Sequence, residues 1–276
     1  MKQIIRPLLV LALALAPSLS APAADAKRVI VCTVTCGFRH SSIPLAEKTL
    51  QRLGEESKAY TVVDWVRNPA KEEMDKLSPA NLAAQKIDAV IFANTTGDLP
   101  LPDREGFIKW INDGHAFCAM HSGSDTFHGF PGYNEMLQGE FAGHGAQVPA
   151  DLIAGDTAHP ANGGIGATWD LSQEEMYLIK NQDRAKIRAL WFMRHDPSDK
   201  AKLGYHAVSW CRMAGKGRVF YTSLGHREDL WDDTSAAGER KNSEAISKQY
   251  QAHLLGGIKW ALGLATGSAE PNPDTK

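Results

Sequence analysis

Four times in the first 120 residues a short apolar run gives way to a segment with helical periodicity, and that alternation restricts the chain to a few architectures. RVIVCTV (28–34) is a continuous β-branched run, the pattern of a strand buried on both faces. In the LAEKTLQRLG that follows its loop, Leu45, Thr49 and Leu53 recur at helical spacing and Gly54 reads as a stop. YTVVDWV is a second strand, and SPANLAAQ opens a helix with Ser78 as cap and Pro79 in the first position. IDAVIFA (87–93) is a third strand. DREGFIKWINDG is a helix with Phe107, Ile108 and Ile111 on one face, and AFCAM (116–120) is a fourth strand. The pattern predicts an α/β fold with helices on both faces of a parallel sheet. Ligands of such sheets sit beyond the C-terminal strand ends, here the loops TCGFRHSS, NTTGDLP and HSGSDTFHGFPG.

Residues 1–26 stand apart. Lys2 and Arg6 precede an apolar core from Leu8 to Ala16, then small residues with two small-x-small sites, Ala21-Pro22-Ala23 and Ala24-Asp25-Ala26. The order is that of a cleaved signal peptide, so a periplasmic or secreted protein is expected; the apolar run is too short to span a bilayer. A formal charge of −2 without a basic run argues against nucleic acid or anionic membrane as partner. The four cysteines Cys32, Cys36, Cys118 and Cys211 form no disulfide framework recognisable from sequence. From 133 to 186 the pattern is irregular, with Gly- and His-bearing loops. KIRALWFMRHD reads as a strand, and YHAVSWCRMAGKGRVFYTSLGH as a hairpin about Gly215-Lys216-Gly217. SEAISKQYQAHLLGGIKWALG is an amphipathic helix with Ile246, Tyr250, Leu254, Ile258 and Ala261 in one stripe. One domain over 27–265 and a disordered tail over 266–276 follow; oligomeric state is left open.

The turn after the fourth strand, AMHSGSD, has the form of a nucleophile elbow, which requires small residues two before and two after its tip. Centred on Ser122 the flanks are Met120 and Ser124, and Met is too large. Centred on His121 they are Ala119 and Gly123, and both fit, which disfavours a serine hydrolase. Far downstream, RVFYTSLGHRED ends a strand and continues into His226 and Glu228.

Strand order, elbow and late His-x-Glu together resemble the class I glutamine amidotransferase-like fold, and within it the ThuA-like (trehalose utilisation) family. The resemblance is carried by TVTCGFRHSSIP, FCAMHSGSD, GEFAGHG, DTAHPA, WFMRHD and GKGRVFYTSLGHRED, spread over nearly all of the chain after residue 26. It implies a three-layer flavodoxin-like sandwich with a mostly parallel central sheet, and a role in the metabolism of trehalose-like or 3-keto sugars. His121 stands where amidotransferases carry a nucleophilic Cys, so glutamine hydrolysis is not expected.

An imidazole at the elbow tip has three open roles: metal ligand, acid–base group, or hydrogen-bond partner of a sugar. His40, His121, His144 and His226 would converge on one sheet edge, where imidazoles suit zinc or another divalent metal. His121 and His226 are the expected catalytic pair, with Glu228 orienting His226. Arg39, His40, Ser122, Phe127, His144 and Arg227 are candidate contacts to a small carbohydrate. The alternative is a non-catalytic carbohydrate-binding module on the same fold.

Overall fold

The computed structural model describes residues 26–275 apart from 198, 235 and 237; the expected leader over 1–26 lies outside these except for its last residue. In chain order the elements are β1 (Lys27–Cys32), α1 (Ile43–Ser57), β2 (Tyr60–Val66), α2 (Lys71–Met74), α3 (Pro79–Ala84), β3 (Ala89–Ala93), α4 (Arg104–Asn112), β4 (Ala116–Met120) and α5 (Pro131–Leu137). They continue with β5 (Glu140–His144), β6 (Val148–Ala154), β7 (Thr168–Glu174), β8 (Tyr177–Lys180), β9 (Arg188–Asp196), β10 (Asp199–Ala214), β11 (Gly217–Thr222), α6 (Glu228–Trp231) and α7 (Glu244–Ala261).

Nine strands form one sheet in the order β2-β1-β3-β4-β11-β10-β9-β6-β7, and β5 pairs with β8 in a separate two-stranded ribbon. The first five strands of that order are mutually parallel, as the alternation predicts for β1 to β4, with β11 added beside β4. From β11 onward every pairing is antiparallel, built by hairpins and the long-range β6–β9 pairing rather than by crossover helices. The hairpin expected about Gly215 is present, with Ala214 opposite Gly217.

The sandwich follows from the two-residue period of the strands. Val29, Val31, Ile91, Cys118 and Met120 belong to the core that also holds Leu50 of α1 and Tyr250, Leu254 and Ile258 of α7. Their neighbours Ile30, Cys32, Val90, Phe92, Phe117 and Ala119 share the opposite core with Leu82, Phe107, Trp110 and Tyr133 of α3, α4 and α5.

Two local expectations are corrected. Gly54 does not stop α1, which runs to Ser57 and ends at Lys58 in the left-handed region. Gly54 is instead a close approach, since a Cβ there would lie 2.7 Å from the Tyr60 carbonyl. The tail expected to be disordered lies along the body. Asn272 completes the edge of β9, its Oδ1 accepting from the Ala189 N–H at 2.7 Å and its Nδ2 donating to the Ala189 and Gly155 carbonyls, each at 3.1 Å.

Candidate functional site

His121 is the residue immediately after β4, with φ +47°. The elbow packs as its sequence requires: a Cβ on Gly123 would sit 2.7 Å from that of Ala119. The ring is held from below, its Nδ1 donating to the Ser223 carbonyl at 2.8 Å, so Nε2 carries the lone pair. That nitrogen lies 3.2 Å from His40 Nε2 and 3.0 Å from the Tyr177 hydroxyl. His40 comes from the β1–α1 loop, with Ser122 Oγ 3.4 Å from its Nδ1. His226 comes from the loop after β11, and its ring centroid lies 5.3 Å from those of both His40 and His121.

The carboxylate among these rings is Glu175, between β7 and β8. Its Oε2 is 3.1 Å from His226 Nδ1 and 3.7 Å from His121 Nε2. Single donor atoms of His40, His121, Glu175 and His226 all fall within 4.8 Å of one another. The His226 Nδ1 contact is close but not aligned as a hydrogen bond, and this buried nitrogen has no hydrogen-bond partner. Neighbouring Glu174 turns the other way. Its buried carboxylate accepts from the N–H groups of Gly225, His226 and Arg227 at 3.0, 2.7 and 3.3 Å, fixing the loop that carries His226.

Burial, then the neighbouring His226, lowers the pKa of His40 to about 4. Burial and the two facing histidines take His121 well below its ordinary value, so both rings present neutral nitrogens at neutral pH. At His226 burial pulls the same way, but Glu175, Glu174 and Glu228 outweigh it and the net shift is upward. Burial raises Glu174 to about 7 against the pull of His226 and the three amides.

Above the cluster opens a cavity of about 300 Å³ lined by Phe38, His40, Asp125, Phe141, His144, Glu175, Tyr177 and His226. The β5–β8 ribbon forms its roof, with His144 opposite Tyr177 in register. Phe38 is 67% exposed beside the opening, and its ring meets His40 edge-on at 4.9 Å.

Several sequence expectations are redrawn here. His121 and His226 do approach each other, but His121 is fully buried and is not part of the cavity lining. Glu228 does not orient His226: it begins α6 and accepts from the Ser41 hydroxyl, and Glu175 stands at His226 instead. His144 lines the cavity 3.1 Å from Glu175 Oε1, outside the four-donor group. Ser122 is buried behind His40. Phe127 is 1% exposed, packed on Phe92 and Tyr133 rather than facing a sugar. Arg39 is exposed and donates to the Thr33 carbonyl, and Arg227 is taken up by Asp229 and Gln147. Cys36, Cys118 and Cys211, like Cys32, are free thiols, and none reaches the elbow tip.

The sequence profile of one protein family, described as ThuA, trehalose utilisation, matches residues 28–261. The chain belongs to the ThuA family. No curated protein matches it. Among solved structures, a putative ThuA-like protein from Parabacteroides merdae ATCC 43184 aligns with TM-score 0.66 at 19% identity, over 91% of this chain and 99% of its own. A second, from Bacteroides uniformis ATCC 8492, aligns with TM-score 0.65 at 16% identity, over 95% of this chain and 100% of its own. A β-galactosidase from Rahnella sp. R3 aligns with TM-score 0.50 at 15% identity over 87% of this chain, but only 32% of its own length. At these identities the structural matches speak to fold alone.

Residues 174–177, Glu-Glu-Met-Tyr, supply most of what sequence reasoning missed in this ThuA chain. The region had no regular pattern in sequence to show that one acid would turn to the backbone and the other to the histidines. Asp125, Phe38 and Phe141 carried no signal beyond their loops.

Proposed function

We propose that this ThuA protein is an exported, divalent-metal-dependent enzyme acting on a small sugar or keto-sugar. The observation that carries the reading is the group of four donor atoms, from His40, His121, Glu175 and His226, within 4.8 Å at the base of a cavity. Ligand atoms ~2.0–2.2 Å from a tetrahedral zinc lie ~3.4 Å apart; here His40–His121, His121–Glu175 and His226–Glu175 are 3.2, 3.7 and 3.1 Å apart. Neutral imidazoles are the form that binds metal, and a ring nitrogen donating to a backbone carbonyl, as at His121, is the usual support for a ligand histidine. His226 Nδ1, beside Glu175 but without a hydrogen bond, would be satisfied by the same ion.

A metal held there supplies Lewis acidity toward a sugar oxygen or a bound water. His144 is the group on the cavity wall placed to move protons. The volume suits one sugar ring better than a polymer, and Phe38 and Phe141 offer apolar faces beside polar groups, as sugar rings require. Export is supported by the charged, apolar and small-residue order of residues 1–26.

The test is turnover of trehalose and 3-keto-trehalose by chelator-stripped protein, before and after one equivalent of zinc or cobalt. Restored turnover, abolished by His121→Ala, is the expected result. Full turnover by protein verified as metal-free contradicts the reading.

A further inference from the structure

The cavity holds one carboxylate that the four-donor cluster leaves unused. Asp125 closes the short 3-10 turn His121–Asp125 and lines the cavity wall. Its Oδ1 accepts from His128 Nε2 at 2.5 Å, while its Oδ2 has no hydrogen-bond partner among the described residues. The other nitrogen of that ring, Nδ1, lies 2.8 Å from Glu140 Oε1. An imidazole that donates to a carboxylate at each nitrogen carries both protons and a positive charge. Burial acts against that charge at His128, and Asp125 and Glu140 overcome it.

Glu140 is itself anchored. It is buried at the start of β5 and also accepts from Lys180 at 3.1 Å, Asn181 at 2.8 Å and Asn134 at 2.9 Å. Burial raises its pKa, but His128, Lys180 and Asn181 bring it down to about 2. The local sequence builds the clamp. Phe127, at φ +58°, drives its ring into the core, and Gly129 follows at φ +73°; this turn brings His128 back onto the residue three before it. Asp125 is fixed at the backbone too, its carbonyl accepting from the Gly97 N–H at 2.8 Å. A surface ion pair between mobile side chains has none of these supports.

We propose that Asp125 is the carboxylate that receives the sugar's hydroxyl groups in the cavity, and that His128, clamped by Glu140, is the positioning residue that holds it. Hydroxyls donating to a fixed anion make the stronger, charge-assisted kind of hydrogen bond, which discriminates polyols from apolar molecules of the same size. The inference rests on the carbohydrate reading above.

Zinc-loaded protein titrated with trehalose and with 3-keto-trehalose, followed by calorimetry and by the side-chain ¹⁵N signals of His128, tests it. Asp125→Asn is expected to lose about tenfold or more in affinity, with zinc stoichiometry and thermal midpoint retained. His128→Asn should fall between the two. In the parent protein at pH 7 the His128 signals should be those of a doubly protonated ring and should move on sugar binding; Asp125→Asn should lose that signature. Affinity of Asp125→Asn within twofold of the parent overturns the role of Asp125 and leaves the carbohydrate reading standing. A neutral His128 ring in the parent overturns the clamp. If the parent binds neither sugar, the carbohydrate reading fails and Asp125's role fails with it.

Discussion

A histidine with φ +47° costs its site ~1 kcal/mol or more of backbone strain, so something must hold it there. At His121 the holders are the Ser223 carbonyl on Nδ1, the Tyr221 hydroxyl donating to the His121 carbonyl at 2.8 Å, and the Ala119–Gly123 contact beneath. Strain retained this way points a lone pair at a chosen place. Glu174 performs the matching task for His226, through three backbone amides rather than through the ring. In Glu174→Gln one acceptor oxygen becomes an NH₂ group facing backbone N–H groups, and the loop loses its anchor. We expect zinc affinity to fall by ~10–100-fold with the fold intact, as removal of such supports does elsewhere. Competition with a chelator measures it, and an unchanged affinity would contradict the role assigned to Glu174. His40, His121 and His226 were legible in sequence because each follows a recognisable strand. Glu174 and Glu175 were not: the partner of each lies some fifty residues away, and only the pairing of β7 with β6 and the β5–β8 ribbon bring them in. Phe127 and Arg227 misled for the converse reason, since a loop residue facing inward looks in sequence like one facing a ligand.

At the scale of elements, the parallel half of the sheet was readable because each strand–helix repeat is local. Of the antiparallel half only the β10–β11 hairpin and the strand β9 were, since the rest of the order β11-β10-β9-β6-β7 depends on one distant pairing, β6 with β9. That pairing covers only Ile153–Phe192 and Ala154–Trp191, leaving the start of β9 bare. An open edge of backbone N–H and C=O groups needs a partner. The tail provides it through Asn272, helped by Gly267, whose carbonyl accepts from Trp260 Nε1 at 3.0 Å, and by Glu270, whose carbonyl accepts from Arg188. Ending the chain at Ala265 strips these bonds from buried or half-buried groups. We expect a loss of about 2 kcal/mol and a melting point lower by ~5 °C, read by calorimetry. An unchanged midpoint would show that the tail does not stabilise the body.

For the whole molecule, the buried histidines set the response to acid. His40, His159 and His253 each have a pKa lowered to about 4, in every case by burial first. The folded state keeps them neutral while the unfolded chain protonates them near ~6.5. Their contribution is therefore complete above that value and is lost as pH falls toward 4. At fully buried His253 the loss approaches ~3 kcal/mol. Glu174, raised to about 7, and His226 and His128, both raised, act in the opposite sense over part of the range. They are outnumbered, because His121 joins the lowered group. The urea midpoint of chelator-treated protein should fall steadily from pH 6.5 to 4.5; a flat or rising midpoint would contradict this balance. Bound metal should deepen the fall, since protons compete for the same nitrogens.

That competition rests on one claim, that three imidazoles and Glu175 hold a single divalent ion. Anomalous diffraction at the zinc edge, on crystals grown with one equivalent of zinc, tests it most directly. The account predicts one strong peak ~2.0–2.2 Å from His40 Nε2, His121 Nε2, His226 Nδ1 and a Glu175 oxygen, absent in His121→Ala. No peak among those four side chains, with zinc present in the crystal, would contradict it.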